Sequence, residues 1–130
     1  MISVSVSVDV PNVVEGIRFY TEAFGFSKMA EPAPGVALLR AGGIEVWLLE
    51  KAPGSLPATD APDTRRYQRH WTPVHLDITV DDLQTALAKA VKAGAKQEQV
   101  FDSPEHGSAV FCSDPFGHGF CLIQRKQGAR

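Results

Sequence analysis

Val74 to Leu83 reads VHLDITVDDL, in which Val74, Leu76, Ile78 and Val80 alternate with His75, Asp77 and Thr79 before Asp81 and Asp82 lead into a helical pattern. Period-two alternation marks a half-buried strand with one apolar face and one chemical face. In the following LQTALAKAVKAGA, Leu83, Leu87, Ala90 and Val91 recur at helical spacing and Gly94 supplies a stop. An aspartate at the N-cap accepts hydrogen bonds from amides the helix leaves unpaired and sits at the positive end of its dipole. This strand-into-helix unit constrains the fold more than any other feature, because it occurs twice.

The first copy lies near the N-terminus. From Ser3 to Val10, Val4, Val6, Val8 and Val10 alternate with Ser3, Ser5, Ser7 and Asp9; Pro11 breaks the strand, and Asn12 is placed to cap a helix carrying Val13, Ile17, Tyr20 and Phe24 and ending near Gly25. Gly16 inside that helix costs about 1 kcal/mol relative to Ala and predicts close packing there or a tolerated defect. Superposing Asn12 on Asp82 gives an offset of 82 − 12 = 70, under which Val6, Val8, Val10, Val13 and Ile17 fall on Leu76, Ile78, Val80, Leu83 and Leu87. Ser5 then falls on His75 and Ser7 on Asp77. The last strands also correspond, Trp47-Leu48-Leu49-Glu50 against Cys121-Leu122-Ile123-Gln124.

The elements between repeat the same order. The first half is expected to add strands over Phe26–Glu31, Val36–Arg40 and Ile44–Glu50, with a turn at Gly42-Gly43; the second adds Lys96–Phe101, Ser108–Ser113 and Gly119–Arg125, with Asp114-Pro115-Phe116-Gly117 as a turn. Lys51 to Thr72, rich in proline and poor in packing residues, reads as a linker. The expectation is one α+β domain over 1–130, with module one at 1–50, the linker at 51–72 and module two at 73–130. Two βαβββ modules can pair into one curved, cup-shaped mixed sheet with the helices outside.

Composition narrows the function. At 130 residues, 44% hydrophobic and net charge −2, the chain has neither the basic field of a nucleic-acid binder nor a long apolar run for a membrane. MISVSVSVDV has no charged leader or continuous apolar core, so no signal peptide is expected and the cytoplasm is the default. In a reducing compartment Cys112 and Cys121 are expected as two thiols, although their adjacent strands leave a disulfide open on distance alone.

The tandem βαβββ pattern, the VPNVVEGIRFYTEAFGF segment, the VHLDITVDDL strand and the DPFGHGFCLIQ hairpin together resemble the vicinal oxygen chelate superfamily. It includes glyoxalase I, extradiol dioxygenases, fosfomycin-resistance enzymes and bleomycin-resistance binding proteins. The resemblance implies a homodimer, a cup that takes a small organic molecule, and, in metal-using members, ligands from the first and last strands of each module. The matching positions here are Ser5, Trp47, His75 and Cys121, and only His75 fits the pattern. A neutral hydroxyl competes poorly with water for an ion, and an indole offers no lone pair.

If Glu45 rather than Trp47 faces the site, His75, Glu45 and Cys121 make a zinc triad, and Zn, Ni, Mn or Fe become possible metals. The favoured expectation is no metal. On that reading the chemical face, Ser5, Ser7, Asp9, Trp47, His75, Thr79 and Cys121, binds a ligand, as in antibiotic-sequestering relatives. Two enzyme readings stay open beside it. One is a metal-dependent lyase or dioxygenase; the other is metal-free acid–base catalysis in which Asp77, close to His75, makes the imidazole a general base. His118 in the hairpin turn is expected to face solvent, with reaching over a neighbouring cavity as the alternative, His70-Trp71 to cap the cup or pack the linker, and Arg65, Arg66 and Arg69 around Tyr67 to form a solvated loop, with an anion site or a dimer contact as alternatives. Glu50 and Gln124 are expected to face away from the cup.

Overall fold

The computed structural model describes residues 1–70 and 72–126, and the chain divides into two compact units, Met1–Tyr67 and Gln68–Arg130. Trp71, assigned above to capping or packing, lies outside the described residues.

The first unit contains β1 (Ser5–Val10), α1 (Val13–Phe24), β2 (Ser27–Ala33), β3 (Val36–Ala41) and β4 (Ile44–Glu50). The second contains β5 (Leu76–Thr79), α2 (Leu83–Ala93), β6 (Lys96–Ser103), β7 (Gly107–Ser113) and β8 (Gly119–Arg125). Each unit is a four-stranded mixed sheet, in the orders β1-β4-β3-β2 and β5-β8-β7-β6, with one parallel pair and two antiparallel pairs. This is the α+β architecture of tandem βαβββ modules.

Both helices start where side chains can satisfy their first amides. Asn12 Oδ1 accepts from Glu15 N at 3.0 Å and Asp82 Oδ1 from Thr85 N at 3.0 Å. The last strand of each module adds a second cap, since Glu50 Oε1 accepts from Val13 N and Gln124 Oε1 from Leu83 N. Glu50 and Gln124 therefore serve the helix side of their sheets. Gly25 closes α1 at φ 71°, a left-handed conformation that glycine adopts without a Cβ clash.

The core of the first unit gathers Val10, Phe19, Leu39, Val46 and Leu48, and that of the second gathers Val110, Cys112, Leu122, Leu83 and Ala90. Gly16 is a packing glycine: a Cβ there would stand 3.2 Å from Leu48 Cδ1 and from both Val10 methyls, so its absence lets α1 approach the sheet.

Several boundaries differ from expectation by one or two residues, and three have a plain physical reason. β1 begins at Ser5 rather than Ser3 because its one partner, β4, starts at Ile44 and the first pair is Ser5 with Glu45. Val74 is likewise outside β5, whose first pair is Leu76 with Phe120. β2 runs through Pro32 to Ala33, which is permitted because an edge strand can spare one amide.

Lys51 to Tyr67, expected to pack little, is tied to the first unit. Arg65 Nε donates to Asp9 Oδ2 at 2.7 Å, Arg65 exchanges backbone hydrogen bonds with Gly54 and Ser55, and the Tyr67 hydroxyl donates to Lys51 O at 2.6 Å.

Candidate functional site

In the second unit Leu76 and Ile78 turn toward α2, which leaves Asp77 and Thr79 on the opposite face. Register carries that face across the sheet. Asp77 pairs with Cys121, Cys121 with Phe111 and Phe111 with Gln99, so four strands contribute one row of side chains.

His75, just ahead of β5, reaches back to this row. Its Nε2 lies 3.1 Å from Asp77 Oδ1, and its ring meets Phe111 edge-on with centroids 6.1 Å apart. Phe111 in turn meets Phe101 at 4.8 Å. The buried Cys121 thiol bonds to the Asp77 carboxylate; burial first, then the Asp77 charge, pushes it up to about 11. A donor atom from each of His75, Asp77 and Cys121 lies within 4.8 Å of the others.

Beside the row is a cavity of about 250 Å³ whose walls include Arg69, Thr72, Pro73, His75, Phe111 and Phe120. Arg69 is fixed there by a two-point ion pair with Glu98, at 2.7 and 3.1 Å, and by a bond from Nη1 to His70 O. The pairing holds the Arg69 guanidinium above its usual range and Glu98 below the usual carboxylate range. A Cβ on Gly119 would lie 2.7 Å from Arg69 Nη2, so only glycine leaves room for the guanidinium. His70, expected to cap or to pack, is exposed and bonded through Nδ1 to Gln68 O.

The hairpin turn corrects one expectation. His118 is not simply solvent-facing: its Nδ1 lies 2.8 Å from Asp114 Oδ2, and Asp114 is wholly buried. Asp114 Oδ1 also accepts from Phe116 N and His118 N, so one carboxylate organises the turn. The run of arginines is likewise not simply solvated, since Arg65 and Arg69 each hold a carboxylate, Asp9 and Glu98; Arg66 makes an exposed pair with Asp63.

The remaining candidates belong to the first unit. Ser5 pairs with Glu45 and Ser7 with Trp47, so Glu45 and Trp47 occupy successive positions on one face rather than competing for it. Asp9 shares that face and is engaged by Arg65. The structure thus brings His75, Asp77 and Cys121 together, with Thr79 one step further along β5 beside Ile123. Cys112 and Cys121 are free thiols on opposite faces, because Cys112 pairs with Phe120 and Cys121 with Phe111.

Sequence reasoning missed Phe111 as a wall and Asp77 as a partner of Cys121. Counting back across the Asp114-Pro115-Phe116-Gly117 turn from Cys121 would have found Phe111. Nothing local marks the Asp77–Cys121 contact, which the register of a parallel pair creates.

The family model of the glyoxalase-like domain matches residues 5–123. No curated protein matches the chain. Among solved structures, the fosfomycin resistance protein FosX from Listeria monocytogenes is similar at 14% identity and TM-score 0.74, covering 98% of this chain and 98% of that one. A FosX variant complexed with Mn(II) and 1S,2S-dihydroxypropylphosphonic acid is similar at 12% identity and TM-score 0.73, covering 95% and 90%. Lactoylglutathione lyase from Agrobacterium tumefaciens is similar at 13% identity and TM-score 0.65, covering 94% and 92%. At such identities the likeness to these structures is one of fold.

Proposed function

The chain belongs to the glyoxalase-like domain family, and we propose that it is a small-molecule-binding protein of the glyoxalase/bleomycin-resistance type whose ligand seats in the cavity of the second unit. One observation carries this reading: a single cavity joins an aromatic wall, Phe111, to placed polar groups, Arg69 and His75, which is how sites for small organic ligands are built.

The residues present do not fit the Mn(II) of the FosX complex. Manganese favours carboxylate, imidazole and water, whereas one of the three gathered donors here is a thiol. On this reading the ligand is held by side chains of the cavity rather than through a bound Mn(II).

The same reading takes the protein as a cytoplasmic homodimer. β2 is an edge strand exposed along its whole length, and β6 an edge strand exposed except at Ser103; a second copy is one means of covering such edges.

A second reading rests on the 3.1 Å contact between His75 and Asp77 in the cavity wall, a pair able to move a proton to or from a bound molecule. His75→Ala separates the two, since a binder loses affinity while an acid–base enzyme loses turnover and keeps its ligand.

The direct test is a thermal-shift screen of aromatic metabolites and antibiotics in the presence of EDTA. A ligand at about 100 times its Kd raises stability by roughly 2.7 kcal/mol, a shift that is easily read. Hits that persist with chelator support the binder; hits that appear only with added metal contradict it.

A further inference from the structure

Arg69 is built into the cavity wall. The register of β6 on β7 slips between Gln97 and Gln99, so Glu98 is an extra residue with no partner across the pair. A bulge of this kind re-aims a side chain. Here the Glu98 carboxylate takes Arg69 Nε and Nη2 while Ser113 hydrogen-bonds to it from β7. His70 O takes Nη1, and the absent Cβ of Gly119 leaves space for the guanidinium itself. A guanidinium carries five N–H donors. Three are engaged, which leaves one on each Nη without a hydrogen-bond partner among the described residues. The Arg69 side chain is 41% exposed and lines the cavity, so these two donors are within reach of a bound molecule.

Its charge, by contrast, is already matched. Glu98 pairs with Arg69 and the charge of Asp114 also reaches it, while Lys96 acts in turn on Glu98. On the His75 side, Asp77 lies against the imidazole and bonds to the Cys121 thiol, which stays protonated because burial pushes it up to about 11. His118, the other imidazole nearby, pairs with Asp114. With both imidazoles counted as neutral, two cations stand against three carboxylates, Asp77, Glu98 and Asp114. Granted the ligand seat proposed above, on which this rests, we infer that the cavity selects a neutral aromatic molecule bearing a carbonyl-type acceptor, an amide or ketone rather than a carboxylate or phosphonate. Arg69 is its donor, and Glu98 is the positioning residue that holds Arg69 and cancels its charge. The ring packs on Phe111, which is 38% exposed and edge-on to Phe101 and His75. An anion there would reach Arg69 only in competition with Glu98 and against Asp114, after losing more hydration than a neutral oxygen does.

The test titrates naphthalene-2-carboxamide and naphthalene-2-carboxylate, a pair matched in shape and different in charge, into the full chain by calorimetry at about pH 8 in EDTA. The amide is expected to bind tighter by roughly 10-fold or more, since like charges set side by side are costly. Arg69→Met weakens the amide by about 10-fold, the ordinary worth of a hydrogen bond to a charged group. Glu98→Gln keeps an oxygen for Arg69 and removes the charge, so the carboxylate tightens by about 10-fold while the amide changes little. A merely structural role for Glu98 would move both ligands together. A carboxylate bound as tightly as the amide in wild type, or a preference unchanged in Glu98→Gln, would overturn this assignment and leave the ligand seat in place. Binding of neither compound would overturn the seat and the assignment with it.

Discussion

The Glu50 carboxylate accepts the backbone N–H of Val13 at 2.9 Å, so the last strand of the first module caps the helix that follows its first strand. Gln124 repeats the arrangement at Leu83, at 2.7 Å. Because a neutral amide does this work in the second module, the contact needs an oxygen and not a charge. Glu50→Gln is expected to cost a few tenths of a kcal/mol and Glu50→Ala about 0.5–2 kcal/mol, the ordinary worth of an N-cap. Urea denaturation of the two variants checks the ranking; equal losses would show that the charge matters.

The backbone of Gln68 crosses the hairpin turn so closely that a Cβ on Gly117 would stand 2.6–3.0 Å from its N, C and O atoms. Gly117 also sits at φ 94°, outside the ordinary range for other residues. At Gly119 the obstruction is the end of a flexible arginine. Gly117→Ala is therefore expected to destabilise by roughly 1–3 kcal/mol, and Gly119→Ala by less, with Arg69 displaced from Glu98. Melting temperatures give the order, and a reversed order would contradict it.

Burial pushes both thiols up to about 11, with Glu98 adding to Cys112 and Asp77 to Cys121. The thiolate is the reactive form. From a starting value of 9.0, a rise to about 11 lowers the thiolate fraction at pH 8 roughly 100-fold, before occlusion slows attack further. Iodoacetamide is expected to label neither cysteine appreciably in the folded protein and both on denaturation. The sign for stability follows from proton binding: the folded state holds these protons more tightly, so the stabilisation is fully present below about pH 9 and is lost as pH rises through about 11. Rapid labelling of native protein at pH 8 would contradict this.

Arg65 joins the 51–67 segment to β1, pairing with Asp9 while two of its hydrogen bonds reach Ser55 Oγ and Leu56 O. Arg65→Ala is expected to leave the sheet intact and to speed proteolysis between Gly54 and Arg65 several-fold. Limited proteolysis with mapping of the first cut reads the outcome, and an unchanged cutting pattern would show the segment is held by other contacts.

Much of this architecture was legible because it is local. The caps at Asn12 and Asp82, the glycine stops, and the phase of Val6, Val8 and Val10 against Leu76, Ile78 and Val80 each need only a few neighbouring residues. Strand ends were not legible at Ser3 and Val74, since pairing stops where the partner strand begins. Nor was the grouping of Asp77 with Cys121, which depends on the register of strands more than forty residues apart. The roles of Arg65 and Arg69 were hidden for the same reason: each finds its carboxylate, Asp9 or Glu98, across a long stretch of chain. Glu45 and Trp47 looked like rivals for one position until the register placed them beside Ser5 and Ser7 in turn.

The most direct measurement is calorimetric titration of a screened aromatic ligand into the chelator-treated chain, compared with Phe111→Ala and with Trp47→Ala. A second-unit site predicts that binding persists in EDTA, that Phe111→Ala weakens it at least 10-fold and that Trp47→Ala changes it little. Binding that vanishes with chelator, or that follows Trp47 and ignores Phe111, would contradict a metal-free ligand seat in the second unit.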